Sequence, residues 1–164
     1  MIVIVFGLPG SGKSYFASRL AKMIHADYIN SDKVRKEMFE KRVYSEKEKK
    51  AVYNAMLQQL KEAIGRNKNV VLDATFHKKE TRRIFIEAVS GKKKISFIQV
   101  QADENIIKER LKKPRPYSEA GFEVYKLIKQ QNEPIDEPHL ILKSTNDNID
   151  EMLQKASEFL KIKK

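Results

Sequence analysis

Gly7-Leu8-Pro9-Gly10-Ser11-Gly12-Lys13-Ser14 constrains this chain more than any other stretch. It fits Gly-x4-Gly-Lys-Ser, the phosphate-binding P-loop or Walker A motif. The motif needs a strand before it and a helix after it. Ile2-Val3-Ile4-Val5-Phe6 is an apolar run of strand length, and Phe16, Leu20 and Ile24 follow at helical spacing. Glycines on such a turn let backbone N–H groups crowd around an anion, and the helix N-terminus adds the positive end of its dipole. Lys13 is placed to reach β- and γ-phosphates, and Ser14 to hold Mg²⁺ through its hydroxyl. A glycine-rich turn that merely joins strand to helix is the plainer alternative, and the completeness of motif plus context argues against it.

The 164 residues suit one domain with a real core, spanning 1–164. An apolar content of 41% with alternating strand and helix segments fits a soluble α/β protein. No apolar run approaches the ~20 residues of a membrane helix. The first residues lead straight into the P-loop, so they read as strand rather than signal peptide, and a cytoplasmic location is expected. The absence of cysteine excludes disulfides and Cys-based zinc sites. Lys plus Arg is 33 against 22 Asp plus Glu, a net charge of +11. Two readings fit that excess: a field for a polyanionic partner, or the charged surface of a heat-adapted protein.

In chain order, strand one covers about Ile2–Phe6 and helix one about Lys13–His25. Asp27–Asn30 reads as a second strand, followed by a helix from Lys33 with Ser31 as its N-cap. Glu46–Arg66 is a long amphipathic helix with Val52, Met56, Leu60 and Ile64 on one face. Asn69–Asp73 is the third strand, and helix Lys79–Val89 turns Ile84, Phe85, Ala88 and Val89 inward. Ile95–Val100 is the fourth strand, with a helix from about Asp103 to Lys112. Lys113-Pro114-Arg115-Pro116-Tyr117 interrupts helical structure and reads as a short lid, about 113–120. A helix at about Glu119–Gln131, a fifth strand at His139–Leu142 and a last helix at Asn148–Ile162 complete the pattern. Such alternation predicts a parallel sheet with helices on both faces, with ligands beyond the carboxyl ends of the strands. Gly7, Asp32, Asp73, Thr75, Ser144 and Thr145 all fall at that edge.

Phosphoryl transfer needs a cradle for ATP, a metal, a group to orient the acceptor, and cations for the developing charge. The cradle is Gly7, Pro9, Gly10, Ser11, Gly12, Lys13, Ser14 and Tyr15, with Thr145 beside it. Asp73, ending an apolar strand, is the acidic partner of Ser14 around Mg²⁺, or else a strand-terminal turn cap. Asp32 is the candidate general base, or else first-turn helix chemistry. Arg35 lies on the same helical face; it either holds an acceptor phosphate or pairs with Asp32. Arg110 and Arg115 flank the lid and either reach the phosphates on closure or sit on a solvated helix end. Arg82 or Arg83 is a weaker candidate for the acceptor side, and His77 reads as an exposed loop histidine. Tyr117, Phe122 and Tyr125 either stack on a base or, for the last two, form a buried helix face. Asn-Lys-x-Asp and Leu-Ser-Gly-Gly-Gln are absent, which counts against a GTPase and a transporter ATPase.

The P-loop, Asn30-Ser31-Asp32-x-x-Arg35, Leu72-Asp73-Ala74-Thr75, Arg110 and Arg115 together resemble the small P-loop kinases grouped with the bacteriophage-type polynucleotide 5′-kinase domain. The resemblance runs from strand one to Thr145 and matches only the kinase portion, without a phosphatase or ligase domain. It implies a three-layer sandwich around a five-stranded parallel sheet of order 2-3-1-4-5. It further implies that Lys13 and Ser14 serve ATP and Mg²⁺, that Asp32 activates a 5′-hydroxyl, and that Arg35 contacts the neighbouring phosphate. A lid arginine, Arg115, would meet the transferring phosphate, and Arg110 would lie against the adenine.

The leading expectation is therefore an ATP-dependent kinase of the 5′-hydroxyl ends of single-stranded DNA or RNA. A kinase of a small alcohol or nucleoside and a non-catalytic nucleotide-binding switch stand beside it.

Overall fold

A computed structural model describes residues 1–114 and 121–162. The sheet has five parallel strands in the order β2-β3-β1-β4-β5. They are β1 (Ile2–Phe6), β2 (Asp27–Asn30), β3 (Val70–Ala74), β4 (Ile95–Gln101) and β5 (His139–Lys143). The helices are α1 (Lys13–Met23), α2 (Ser31–Met38), α3 (Glu46–Gly65), α4 (Lys79–Val89), α5 (Glu104–Leu111), α6 (Phe122–Gln131) and α7 (Ile149–Leu160). This is the fold and strand order expected from the sequence.

β1 is buried along its whole length because it lies mid-sheet with helices on both faces. Its side chains alternate. Ile2, Ile4 and Phe6 enter one core with Met56 and Leu60 of α3 and Phe85 of α4. Val3 and Val5 enter the other with Phe16 and Leu20 of α1 and Met152 of α7. Period-two alternation thus feeds two layers from one strand.

Register then fixes the upper edge. Val5 lies beside Asp73 and Phe6 beside Ala74, while Asn30 pairs with Asp73 from the other side. The P-loop, the β2–α2 turn and the end of β3 therefore meet, although they are far apart in sequence.

Three local expectations change. The N-cap of α2 is Asn30, whose side chain accepts from Lys33 N, and Ser31 is already helical. In α4, Phe85 and Val89 face inward, but Ile84 is exposed and Arg82 takes a buried position. Arg82 can do so because it donates to the carbonyls of Glu133 (2.7 Å) and Pro134 (3.4 Å). The third change concerns His77, which is buried rather than exposed. Among the described residues no helix is long and apolar enough to cross a membrane.

Candidate functional site

The loop between β1 and α1 owes its shape to close approaches. A Cβ on Gly7 would stand 2.4 Å from the Val100 carbonyl oxygen, so only glycine fits there. Gly12 has φ +92, and a Cβ on it would lie 2.6 Å from Ser144 Oγ. The first turn of α1 has no acidic residue and no side-chain cap. Its N–H groups and dipole are left for an external anion. Lys13 is buried at the first position of that helix, and Ser14 follows it half-buried. Tyr15 instead points outward, with the Arg19 guanidinium 3.4 Å above its ring.

Behind the loop lies a polar network that the register of β2 and β3 creates. Asp73 is fully buried, and Tyr28 Oη and Asn30 Nδ2 both donate to its Oδ2, the latter at 2.7 Å. Asn30 Nδ2 also lies 3.3 Å from Ser14 Oγ. Asp73 Oδ1 is buried with no hydrogen-bond partner among the described residues. Burial pushes the Asp73 carboxyl up, opposed chiefly by the Lys13 ammonium and by the nearby polar groups of Tyr28, Ser14 and Asn30. Burial and the neighbouring Asp73 charge push the Tyr28 phenol up as well. Among the described residues no group of three or more His, Asp or Glu is arranged to hold a metal. A cation bound here would have one hydroxyl and one orphaned carboxylate oxygen to meet, a donor set that fits a hard ion keeping most of its water.

A cleft opens in front of Lys13, lined among others by Asp32, Arg35, Lys49 and His77. Asp32 stands in the first turn of α2 and accepts from Arg35 Nη1 at 2.8 Å. Arg35 Nε faces Glu48 Oε1 at 3.0 Å as an ion pair whose angles fall short of a hydrogen bond. Its guanidinium also covers the Tyr44 ring, 4.8 Å from the centroid. Glu48 is buried and takes the Val43 N–H on its other oxygen at 2.9 Å. The sequence reading did not single out Glu48. Its signal was Ser45-x-x-Glu48 at the start of α3, a capping-box spacing. Ser45 does cap Glu48 N, at 3.1 Å, while the carboxylate turns to Val43 and Arg35 instead.

His77 accepts or donates at Nδ1 with Thr75 Oγ1 at 3.0 Å. Burial, aided by Lys49, Lys78 and Arg82, lowers its pKa to about 4. On the far side, Arg110 ties the P-loop to the segment after β5. It donates to the Gly10 carbonyl (3.1 Å), Ser144 Oγ (3.0 Å) and the Thr145 carbonyl (2.9 Å). Arg82 braces α4 from within, and Arg83 pairs with Glu80 and Glu87 on the exposed face, so neither lines the cleft. Phe122 and Tyr125 stack on one another in a groove with Lys108 and Lys126 that no P-loop residue lines. Arg115, Tyr117 and most of the expected lid lie outside the described residues.

A family model described as AAA domain matches residues 2–135. Solved structures that share the fold include three kinases. A sugar kinase from Janibacter sp. HTCC2649 has a TM-score of 0.75 at 15% identity, over 98% of this chain and 94% of that one. A gluconokinase from Sinorhizobium meliloti 1021 has a TM-score of 0.70 at 17% identity, over 97% and 94%. The APS kinase CysC of Mycobacterium tuberculosis, in complex with AMPPNP and APS, has a TM-score of 0.73 at 16% identity, over 98% and 96%. At these identities the likeness establishes the fold. No curated protein matches the chain.

Proposed function

The chain belongs to the AAA domain family, and from that premise we propose that it is an ATP-dependent kinase that phosphorylates a hydroxyl of a small alcohol. The observation that carries this reading is that Lys13 of the P-loop and the carboxylate of Asp32 line one cleft. Asp32 takes the proton of the acceptor hydroxyl as its oxygen attacks the γ-phosphorus. The bond from that phosphorus to the β–γ bridging oxygen breaks, and ADP leaves. Lys13 and the N–H groups of the P-loop hold the phosphates in line. Ser14 and Asp73 Oδ1 would hold Mg²⁺, which neutralises phosphate charge when bound. Arg110 and Thr145 serve the nucleotide side. Arg115 is assigned to the transferring phosphate on the family resemblance alone.

The state of Arg35 favours a small acceptor. Two carboxylates, Asp32 and Glu48, already answer its charge, which leaves little for the phosphate of a nucleic-acid end. The sugar kinase and gluconokinase among the fold's relatives agree with that choice. The net charge of +11 supports a second reading, transfer to 5′-hydroxyl ends of DNA or RNA.

The deciding experiment is transfer of labelled γ-phosphate from ATP with Mg²⁺ to hexoses, hexonates, nucleosides and 5′-hydroxyl oligonucleotides. Label is expected on a small polyol, and Asp32→Ala is expected to lower transfer about 10²–10⁴-fold with ATP binding retained. Label on the oligonucleotides alone would establish the second reading. Tight ATP binding with no acceptor labelled would leave a nucleotide-dependent switch.

A further inference from the structure

His77 follows a backbone position that its surroundings force. Phe76 has φ +42, left-handed and unusual for an aromatic residue. Its N–H donates to Tyr53 Oη at 3.1 Å, and its fully buried ring sits between Tyr53 and Phe85 at centroid distances of 5.3 and 5.1 Å. An outlier clamped this firmly fixes where the next side chain goes. That side chain is His77, only 5% exposed, and it lines the cleft shared with Lys13 and Asp32.

Tyr53 Oη already accepts from Phe76 N–H, so its own proton has Thr75 Oγ1 to go to, 3.3 Å away. The Thr75 hydroxyl then spends its proton on His77 Nδ1, at 3.0 Å. The reverse direction would leave the Tyr53 proton without an acceptor among the described residues. Both hydroxyl protons find acceptors only if His77 accepts at Nδ1 and carries its own proton on Nε2. Lys49, Lys78 and Arg82 around the ring oppose a second proton, while Glu46 acts the other way. The ring is therefore a neutral donor, held by Thr75, and not a second base beside Asp32.

Resting on the kinase reading above, we propose that His77 is a specificity-determining residue of the acceptor cleft. Its Nε2–H donates to an oxygen of a small polyhydroxy acceptor other than the hydroxyl that is phosphorylated. A fixed buried donor rejects analogues that lack the matching oxygen, because the donor is then left unpaired.

The test begins with long-range ¹H–¹⁵N correlation spectra of the full chain at pH 7. Three histidines give the signals, and His77→Gln assigns the one in question. The expected result is a bare Nδ1 and a protonated Nε2, whose shift moves on titration with gluconate or glucose in the presence of AMPPNP and Mg²⁺. In turnover, His77→Asn keeps only the reach to Thr75 and is expected to raise the acceptor KM about 10- to 100-fold, with the KM for ATP unchanged. His77→Gln restores a donor at the Nε2 position and is expected to stay within about threefold of the parent. A proton on Nδ1, an Nε2 unmoved by both polyols, or equal effects of the two variants would overturn the assignment. If Nε2–H moves while no polyol is phosphorylated, the donor stands and the kinase reading falls. If polyols are phosphorylated while Nε2–H stays still, the reverse holds.

Discussion

At Asp73 and His77, burial acts on two titrating groups with opposite consequences. Burial foremost raises the Asp73 pKa, against the pull of Lys13 and of its hydrogen-bond donors. The folded state then binds that proton more tightly than the unfolded chain does, so stability falls as pH rises past the ordinary aspartate range. Keeping Asp73 ionised in the nucleotide-free protein therefore costs stability. Asp73→Asn keeps the acceptor for Tyr28 and Asn30 and is expected to melt a few degrees higher. The same change is expected to lower Mg²⁺-dependent transfer by about 10²-fold or more. Calorimetry and phosphoryl transfer on one preparation read both effects. For His77 the sign reverses. Its folded pKa of about 4 lies below the ordinary histidine value near 6.5, so the unfolded chain binds more protons between those limits. Stability is therefore present above about pH 6.5 and lost on acidification toward pH 4. His77 is expected to contribute about 2 kcal/mol of that loss after allowance for screening by water in the cleft. In urea titrations at pH 7 and pH 4, His77→Gln should lose stability less steeply than the parent.

Among the elements, the β2–α2 junction holds the most in the fewest atoms. Asn30 Oδ1 caps α2 through Lys33 N at 2.9 Å, while its Nδ2 serves Asp73 and Ser14. Asn30→Ala removes a cap worth about 1 kcal/mol and takes a donor from a buried carboxylate, for a total cost of about 2–3 kcal/mol. Ser31→Ala, at the residue the sequence suggested as the cap, is expected to cost under about 0.5 kcal/mol. Equal costs in urea denaturation would refute this division. That one-residue displacement shows what sequence reading reaches. The strand, loop and helix from Ile2 to Met23 were legible because each signal is local: an apolar run, a motif, a helical period. The gathering of Gly7, Asp32, Asp73 and Thr145 at one edge followed from a general rule of parallel sheets. Contacts set by register were not legible. Tyr28 meets Asp73 only because β2 pairs with β3, across 45 residues of sequence. Arg82 is buried because its partners are carbonyls about 50 residues on, and no helical period announces a carbonyl. His77 read as a loop residue because the clamp that buries it comes from Tyr53 on α3.

Across the whole molecule, the charge excess and the site lie in different dielectric settings. Much of the acidic complement is used on exposed helix faces, as in Arg83 with Glu80 and Glu87, Lys112 with Glu109, and Lys155 with Glu151. Pairs of this kind contribute little to stability. What they leave is a surplus of cations, 33 against 22, spread over solvated surface. Such a surface attracts any polyanion, and salt weakens that attraction steeply. Lys13, Arg35 and Asp73 are buried, where mobile ions screen far less. The two properties therefore separate with ionic strength. Binding of a single-stranded oligonucleotide is expected to fall by at least about tenfold between 50 and 200 mM NaCl. Phosphoryl transfer to a small polyol is expected to change less than about threefold over the same range. Parallel decline of both, followed in one titration with labelled ATP, would mean that the acceptor reaches the cleft through the cationic surface. Independence of the two would assign the +11 charge to the surface alone and leave the acceptor to the cleft.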